Sequence, residues 1–510
     1  MKKLKILIVL ATFSLFWISC QNENELDSMK TREITFSPEE IRLLSEIANN
    51  TPKVSEEEAM NRALGAVNSL FTFTKSGKAR TIKNSNALTT PKVVSTKSLE
   101  EESASDTVAY IFNFEGDEGF AIVAADERVP EQIIACMESG NFDLGADNPG
   151  LAIFLERVED YIVQSIEKAE AYRDSLAQEI FLKLVAENPE LADTTTKIAK
   201  PNDTPLPSSS DSDPLAGTYT EVLNSRTFEW TTVSSVAPLT VVEWNQTDPY
   251  NRFTRVKGRN GDAPYTGCVA VATAQIMAYW KYPSSIDGYA MNWTEMCRYT
   301  SDIFRNHMFN NQWVGSVTDL NAPTTAVDNI ARLMERIGAH VGMKYESDGS
   351  DADSDNAIKW LKQIGFSGGE KSNYNFNLIK SSLNAKRIVY GRGYSSILKK
   401  KFLGLTLYTE KRGHAWNYDG YICQSQRTDR TIVVIDRKTN KVLTSTSSTI
   451  YNYQDMVHVN WGWGGDYNGY YMSEVFNTNN PAISSLTRSN DAGQTGLYQY
   501  DLEIYTNLRR

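Results

Sequence analysis

Two residues far apart in the chain have the types and surroundings needed for nucleophilic chemistry. Thr266-Gly267-Cys268 leads into Val269 to Trp280, a run of helix formers that is apolar nearly all round. A helix of that kind is buried. Its start places Cys268 in the first turn, where unpaired N–H groups and the helix dipole favour an anion, and such surroundings turn a thiol into a reactive thiolate. Taken alone, a cysteine beside apolar residues is more often inert core, so the reading needs a base. Of four histidines, His307 lies in a polar stretch and reads as surface, while His340 follows the helical pattern Ile330, Leu333, Ile337 and reads as packed or capping. His458 adjoins a strand end. His414 differs: Gly413 to Tyr421 reads as a strand entered through glycine and ending in a turn, 146 residues after Cys268. That interval suits a Cys–His pair brought together by folding.

Two further segments supply what such a pair lacks. Val459-Asn460-Trp461-Gly462-Trp463-Gly464-Gly465 offers an amide beside indoles in a glycine-rich turn. A Cys–His pair needs a group to fix the imidazole, and an amide shielded by an indole can do that. If His414 is on a strand, Asn417 and Asp419 lie odd steps away and face the other side. Asn460, with Trp461, is therefore the expected orienter. Upstream, Gln246 could join the backbone N–H of Cys268 as an oxyanion hole for acyl transfer. Met alone, these would read as a turn glutamine and a structural tryptophan turn.

The elements that position these groups follow from local patterns. Ser55-Glu56-Glu57-Glu58 is a capping box opening a helix with Met60, Ala63, Leu64, Val67 and Phe71 on one face. A polar, basic stretch follows to about Lys97. Val108–Phe114 and Phe120–Val123 read as a hairpin joined by Glu115-Gly116-Asp117-Glu118-Gly119. Leu151, Leu155, Val158, Ile162, Ile166, Ala169, Leu176 and Ile180 keep helical spacing through a long amphipathic helix. Residues 21–50 form a loose polar tether, and Asp193 to Pro214, rich in Thr, Ser, Pro and Asp, is a linker.

Composition narrows the function. The 510 residues carry a net charge of −11, which argues against a dedicated nucleic-acid binder. That charge is unevenly divided. Residues 21–225 hold 37 acidic and 18 basic side chains, a balance of −19, whereas residues 226–510 hold 26 and 31, a balance of +5. Five widely spaced cysteines form no Cys-x-x-Cys pair, which excludes a zinc ribbon and a dense disulfide scaffold. No His-Glu-x-x-His, Gly-x-Ser-x-Gly or phosphate-loop motif occurs. Lys2-Lys3-Leu4-Lys5 before the apolar run Ile6 to Ile18 is a secretory leader, and no second apolar run follows. Cys20, just after that run and a small residue, resembles a lipobox cysteine that would be acylated and anchor the protein to a membrane, although Trp17 replaces the usual leucine.

Together the motifs resemble the streptopain family of cysteine peptidases. They are Trp244-x-Gln246 with Pro249-Tyr250-Asn251, Thr266-Gly267-Cys268-Val269-Ala270 leading to Gln275-Ile276-Met277-x-Tyr279-Trp280, Gly413-His414-Ala415 with Asp419-Gly420-Tyr421, and Val459 to Gly465, all in the family's order. Gly119 to Asp126 is similar to the family's inhibitory propeptide. The resemblance implies an α+β chain, a papain-like peptidase domain preceded by a separate α+β propeptide domain. It implies Cys268 as nucleophile, His414 as base, Gln246 as oxyanion donor, and Asn460 and Trp461 as the groups shaping the site. No metal or organic cofactor is implied. The partners are protein or peptide substrates and the chain's own propeptide, with no nucleic acid. The expected division is a leader at 1–19, propeptide at 20–192, linker with the activation region at 193–225 and peptidase at 226–510. The segment Gly420 to His458 is longer and more polar than expected and reads as an enlarged loop. Two other readings share these residues: a catalytically silent surface binding lipoprotein, and a Cys–His acyl transferase.

Overall fold

The computed structural model describes residues 34–49, 51–71, 79–91, 105–142, 148–194, 214–254, 264–297, 324–346, 349–394, 400–402, 405–408, 413–477 and 502–510. The leader, Cys20, His307 and most of the tether and linker lie outside them. The principal helices are α1 (Pro38–Asn49), α2 (Glu56–Leu70), α3 (Pro149–Glu187), α4 (Cys268–Trp280), α5 (Thr324–Val341), α6 (Ser354–Gln363) and α7 (Phe376–Asn384). The strands of the main sheet are β1 (Ile82–Pro91), β2 (Ser105–Phe114), β3 (Phe120–Ala124), β4 (Ile133–Met137), β5 (Thr218–Thr227) and β6 (Thr231–Val236). They continue with β7 (Glu370–Asn373), β8 (Val389–Tyr394), β9 (Gly413–Asp436), β10 (Val442–Asn460), β11 (Gly469–Met472) and β12 (Glu503–Thr506). Among the described residues no helix is long and apolar enough to cross a membrane.

The chain divides into two compact units. The larger comprises Thr51–Ala171, Thr227–Thr428 and Tyr451–Arg510. Its sheet runs β1-β2-β3-β4-β11-β10-β9-β8-β12-β7, with β6 also paired to β9. The first four strands are N-terminal and the rest C-terminal, and β4 meets β11 antiparallel, with Met137 opposite Gly469 and Ala135 opposite Tyr471. Gly469 leaves room for that approach, since a Cβ there would lie 2.8 Å from Met137 Cα. Helix α2 starts as the capping box requires, Ser55 Oγ accepting from Glu58 N–H at 3.2 Å. It buries Ala59, Ala63 and Val67 in one core with Phe112, Phe114 and Val123. Helix α4 is buried from Val269 to Ala278 and shares a second core with Leu333 and Ile337 of α5, Trp360 and Leu361 of α6, and Tyr390 of β8.

Strands β1 and β4 are not visible in the sequence pattern. Strand β1 reads Ile-Lys-Asn-Ser-Asn-Ala-Leu-Thr-Thr-Pro, a sheet-edge strand whose one buried apolar side chain is Leu88, so it shows no alternation. Strand β4 is buried on both faces and its five apolar residues carry no period. Gly420 to His458 is not a loop. It is mostly strand, β9 and β10 forming a long arm whose polar residues are partly exposed, as Arg427, and partly buried, as Gln424, Thr444 and Gln454.

The smaller unit gathers Met1–Asn50, Tyr172–Arg226 and Asp429–Ile450. Helix α1 opens on a reciprocal cap: Ser37 N–H donates to Glu40 Oε2 at 2.6 Å and Glu40 N–H to Ser37 Oγ at 3.2 Å, with Pro38 at the first helical position. Its apolar face meets the C-terminal half of α3 and the end of the arm in a core containing Leu44, Ile180, Leu184, Ile432 and Leu443. Strand β5, inside the stretch read as linker, pairs with β9. Its exposed polar residues carry no apolar signal to mark it.

Candidate active site

Cys268 opens α4 behind Gly267, whose φ of +92° suits glycine. A Cβ at Gly267 would also come within 2.7 Å of the Met343 side chain and 3.1 Å of Ser350 O. The residue keeps some solvent contact. Burial nevertheless pushes its thiol up to about 11, with the Ala415 N–H and the first-turn N–H groups of Val269 and Cys268 pulling the other way. Cys268 packs against the buried core that contains Ala415 of β9, the residue after His414.

His414 is 3% exposed and donates from Nε2 to the Trp461 carbonyl at 2.9 Å. A carbonyl can only accept, so Nε2 carries the proton and the neutral ring has its lone pair on Nδ1. Indoles surround it: Trp416 and Trp463 are stacked at 6.1 and 6.4 Å, and Trp461 is tilted at 6.1 Å. Burial among them lowers the imidazole to about 4, against the opposing pull of the Trp461 carbonyl. Strand β8 makes room for this cluster. Gly393 pairs with His414 and Gly391 with Trp416, and a Cβ at Gly391 would lie 2.7 Å from the Trp416 indole nitrogen.

No hydrogen bond joins Cys268 to His414 among the described residues. The first turn of α3 packs on the histidine and on Trp461. A Cβ on Gly150 would overlap the Trp461 ring and come within 2.8 Å of His414 Cδ2. Gly150 owes its place to the buried Asn148, whose Oδ1 caps the helix by accepting from the N–H groups of Gly150 and Leu151 at 3.0 Å each. Asn148-Pro149-Gly150 carries the signal of a helix start, but nothing in it points to His414.

Gln246 is 4% exposed, and its backbone carbonyl accepts from the N–H of Thr266, two residues before Cys268, at 2.9 Å. Asn460 does not reach His414. Its Oδ1 accepts from Gln275 Nε2 at 3.0 Å and Gly462 N–H at 3.1 Å, and its Nδ2 donates to Val242 O at 3.3 Å. Gln275 Oε1 accepts from Asn417 Nδ2 at 2.9 Å, and that nitrogen also donates to Ala272 O at 3.0 Å. The polarity of this buried amide chain is set at its ends, because Gly462 N–H can only donate and Ala272 O can only accept. It ties α4, β9, the tryptophan turn and the segment before Gln246 to one another. Gln275 and Asn417 had no assigned role in the sequence. Asn417 faces away from His414, as its odd step requires, and toward α4.

His340 Nε2 lies 3.0 Å from Asp287 and its ring stacks on Trp360. His458 is buried with Nδ1 2.6 Å from Asp419 Oδ1, which raises its pKa against the cost of burial. Cys136, Cys268, Cys297 and Cys423 are free thiols.

Residues 244–471 match the profile of the Peptidase C10 family, and residues 51–162 match that of the Spi protease inhibitor. The chain belongs to the streptopain family of cysteine peptidases. It joins a streptopain-type peptidase domain to an inhibitory propeptide domain on its N-terminal side. Streptopain of Streptococcus pyogenes is 24% identical over 425 residues, covering 76% of this chain and 78% of that one. The thiol protease/hemagglutinin PrtT of Porphyromonas gingivalis is 23% identical over 428 residues, covering 81% of this chain and 38% of that one. A solved prointerpain A fragment of Prevotella intermedia aligns with a TM-score of 0.42 at 19% identity, covering 79% of this chain and 96% of the fragment.

Proposed function

We propose that this streptopain-family zymogen hydrolyses internal peptide bonds through Cys268 and His414. The observation that carries the reading is Cys268 at the start of α4, packed against the core that holds Ala415, next to a histidine whose Nε2 is committed to the Trp461 carbonyl. That leaves Nδ1 as the atom that takes the thiol proton. The thiolate attacks the peptide carbonyl, and the oxyanion is held by the Cys268 N–H and the Gln246 amide. The imidazolium protonates the leaving amine, and water hydrolyses the thioester. Trp461 orients the ring through its carbonyl and shields it with its indole. Asn460 acts one step back, fixing the turn through Gly462.

In the zymogen the start of α3 presses on His414 and Trp461, and thiol and imidazole stay neutral and apart. Removal of the propeptide frees the ring to turn toward Cys268. We assign residues 1–19 to a leader, 20–192 to the propeptide, 193–225 to the linker with the activation bond and 226–510 to the peptidase. The leader exports the protein, and acylation of Cys20 anchors it. Treating the matured protein with an alkylating electrophile while following casein cleavage tests the chemistry. Loss of activity in step with modification of Cys268 supports it, and full activity with Cys268 alkylated refutes it. N-terminal sequencing of the matured protein locates the activation bond and shows which piece keeps Cys20.

A further inference from the structure

The smaller unit is assembled from both sides of the activation segment. With the activation bond taken within residues 195–213 of the linker, residues 34–49 and 172–194 precede it, whereas residues 214–226 and the arm residues 429–450 follow it. Residues 34–49 and 172–226 also lie outside both family profiles, which span 51–162 and 244–471. One apolar core joins the two sides. Leu44 of α1 and Ile180 and Leu184 of α3 pack with Ile432, Val434 and Leu443 of the arm, each at most 3% exposed. Polar contacts cross the same boundary: Asn188 Nδ2 donates to Leu443 O at 3.3 Å, and Lys441 pairs with Glu190 at 2.5 Å. Helix α1 is held on α3 by Lys183 and Glu40 at 2.6 Å, so the two act as one body. Strand β5 goes with the arm, where Arg437 donates to Gly217 O from its backbone at 2.9 Å and to Thr218 O from its guanidinium at 3.0 Å.

We propose that the arm is a second docking surface for the propeptide, separate from the pairing of β4 with β11, and that it retains residues 34–194 on the enzyme after the activation bond is cut. The proposal rests on the zymogen reading above. A face of buried aliphatic side chains does not part from its partner because a distant backbone bond has been hydrolysed. Full activation therefore needs a second event that frees α1 and α3 from the arm.

The test uses the full chain carrying Cys268→Ala and a recognition sequence for a specific protease inserted within residues 195–213. After complete cutting, gel filtration should show both pieces migrating together. Leu184→Ala or Ile180→Ala should speed release of the N-terminal piece at least tenfold, as expected for truncating a fully buried aliphatic side chain. Should those variants fail to fold before cutting, the exposed charge pair gives an independent readout. Lys441→Glu should speed release about threefold, and adding Glu190→Lys should restore the parent rate. Prompt separation of the parent pieces, or release rates unchanged by all of these substitutions, overturns the proposal. Retention is read by mass on a chain without the thiol, so it does not depend on catalysis. The zymogen reading is judged separately, by whether stripping the N-terminal piece from the same cut chain with Cys268 intact releases peptidase activity.

Discussion

At neutral pH Cys268 and His414 are both uncharged, because burial pushes the thiol up to about 11 and the imidazole down to about 4. For His414 this has a sign. An unfolded imidazole takes its proton near pH 6.5, whereas the buried ring resists until about pH 4, so stability is lost as pH falls through that window. The full effect is about 3 kcal/mol. Urea unfolding of Cys268→Ala chains with and without His414→Asn between those pH values should show the parent losing more stability on acidification. The comparison is differential because the raised carboxyls of Glu131 and Asp466 act in the opposite direction in both chains. Gly150 offers a second residue-level test. A methyl there collides with Trp461 and His414, and overpacking of that kind costs about 1–3 kcal/mol. Gly150→Ala should therefore loosen the cover on the site, and alkylation of Cys268 in the uncut zymogen should be about tenfold faster than in the parent.

Among the elements, legibility followed how much of the local pattern is set by burial on one face. Helix α4 was readable because all-round apolarity has one meaning at that length, and α2 because its cap and stripe agree. The hairpin of β2 and β3 announced itself through Gly116 and Gly119, both at positive φ. The arm was not readable, since strands with solvated faces and serine- and threonine-rich ends look like loop. The site divided in the same way. Cys268 and His414 stood out by type and context, but the contact between His414 and a backbone carbonyl leaves no trace in side-chain identity. Asn460 and Trp461 were expected together around His414, and the group that accepts from its Nε2 is the Trp461 backbone carbonyl. The amide chain through Gln275 was equally hidden, because its meaning lies in three separate segments. Gln275→Leu takes one hydrogen bond from each of the Asn417 and Asn460 amides, which keep Ala272 O and Gly462 N–H as partners, at about 1 kcal/mol for each bond lost. Chemical unfolding should register that loss. The matured enzyme should lose kcat more than it gains KM, since the substitution shifts α4 against β9 rather than altering substrate contacts.

For the whole molecule, the division of charge noticed in the sequence acquires a structural setting. Residues 21–225 carry −19 and residues 226–510 carry +5, and within the larger unit one sheet continues from β4 into β11. Strand pairing joins β4 to β11, and opposite net charges would add only a screened attraction to it. Raising ionic strength to about 1 M, where screening acts over about 3 Å, should speed release of the cut propeptide only a few-fold. A dependence of many orders of magnitude would mean that charge, not burial, is the main adhesive. All of this presumes one chemical centre. The decisive measurement is the rate of casein cleavage by the fully matured enzyme and by its Cys268→Ala variant, with folding of both checked by thermal melting. The account requires cleavage to fall to background in the variant while its fold persists. Cleavage retained at the parent rate would contradict it.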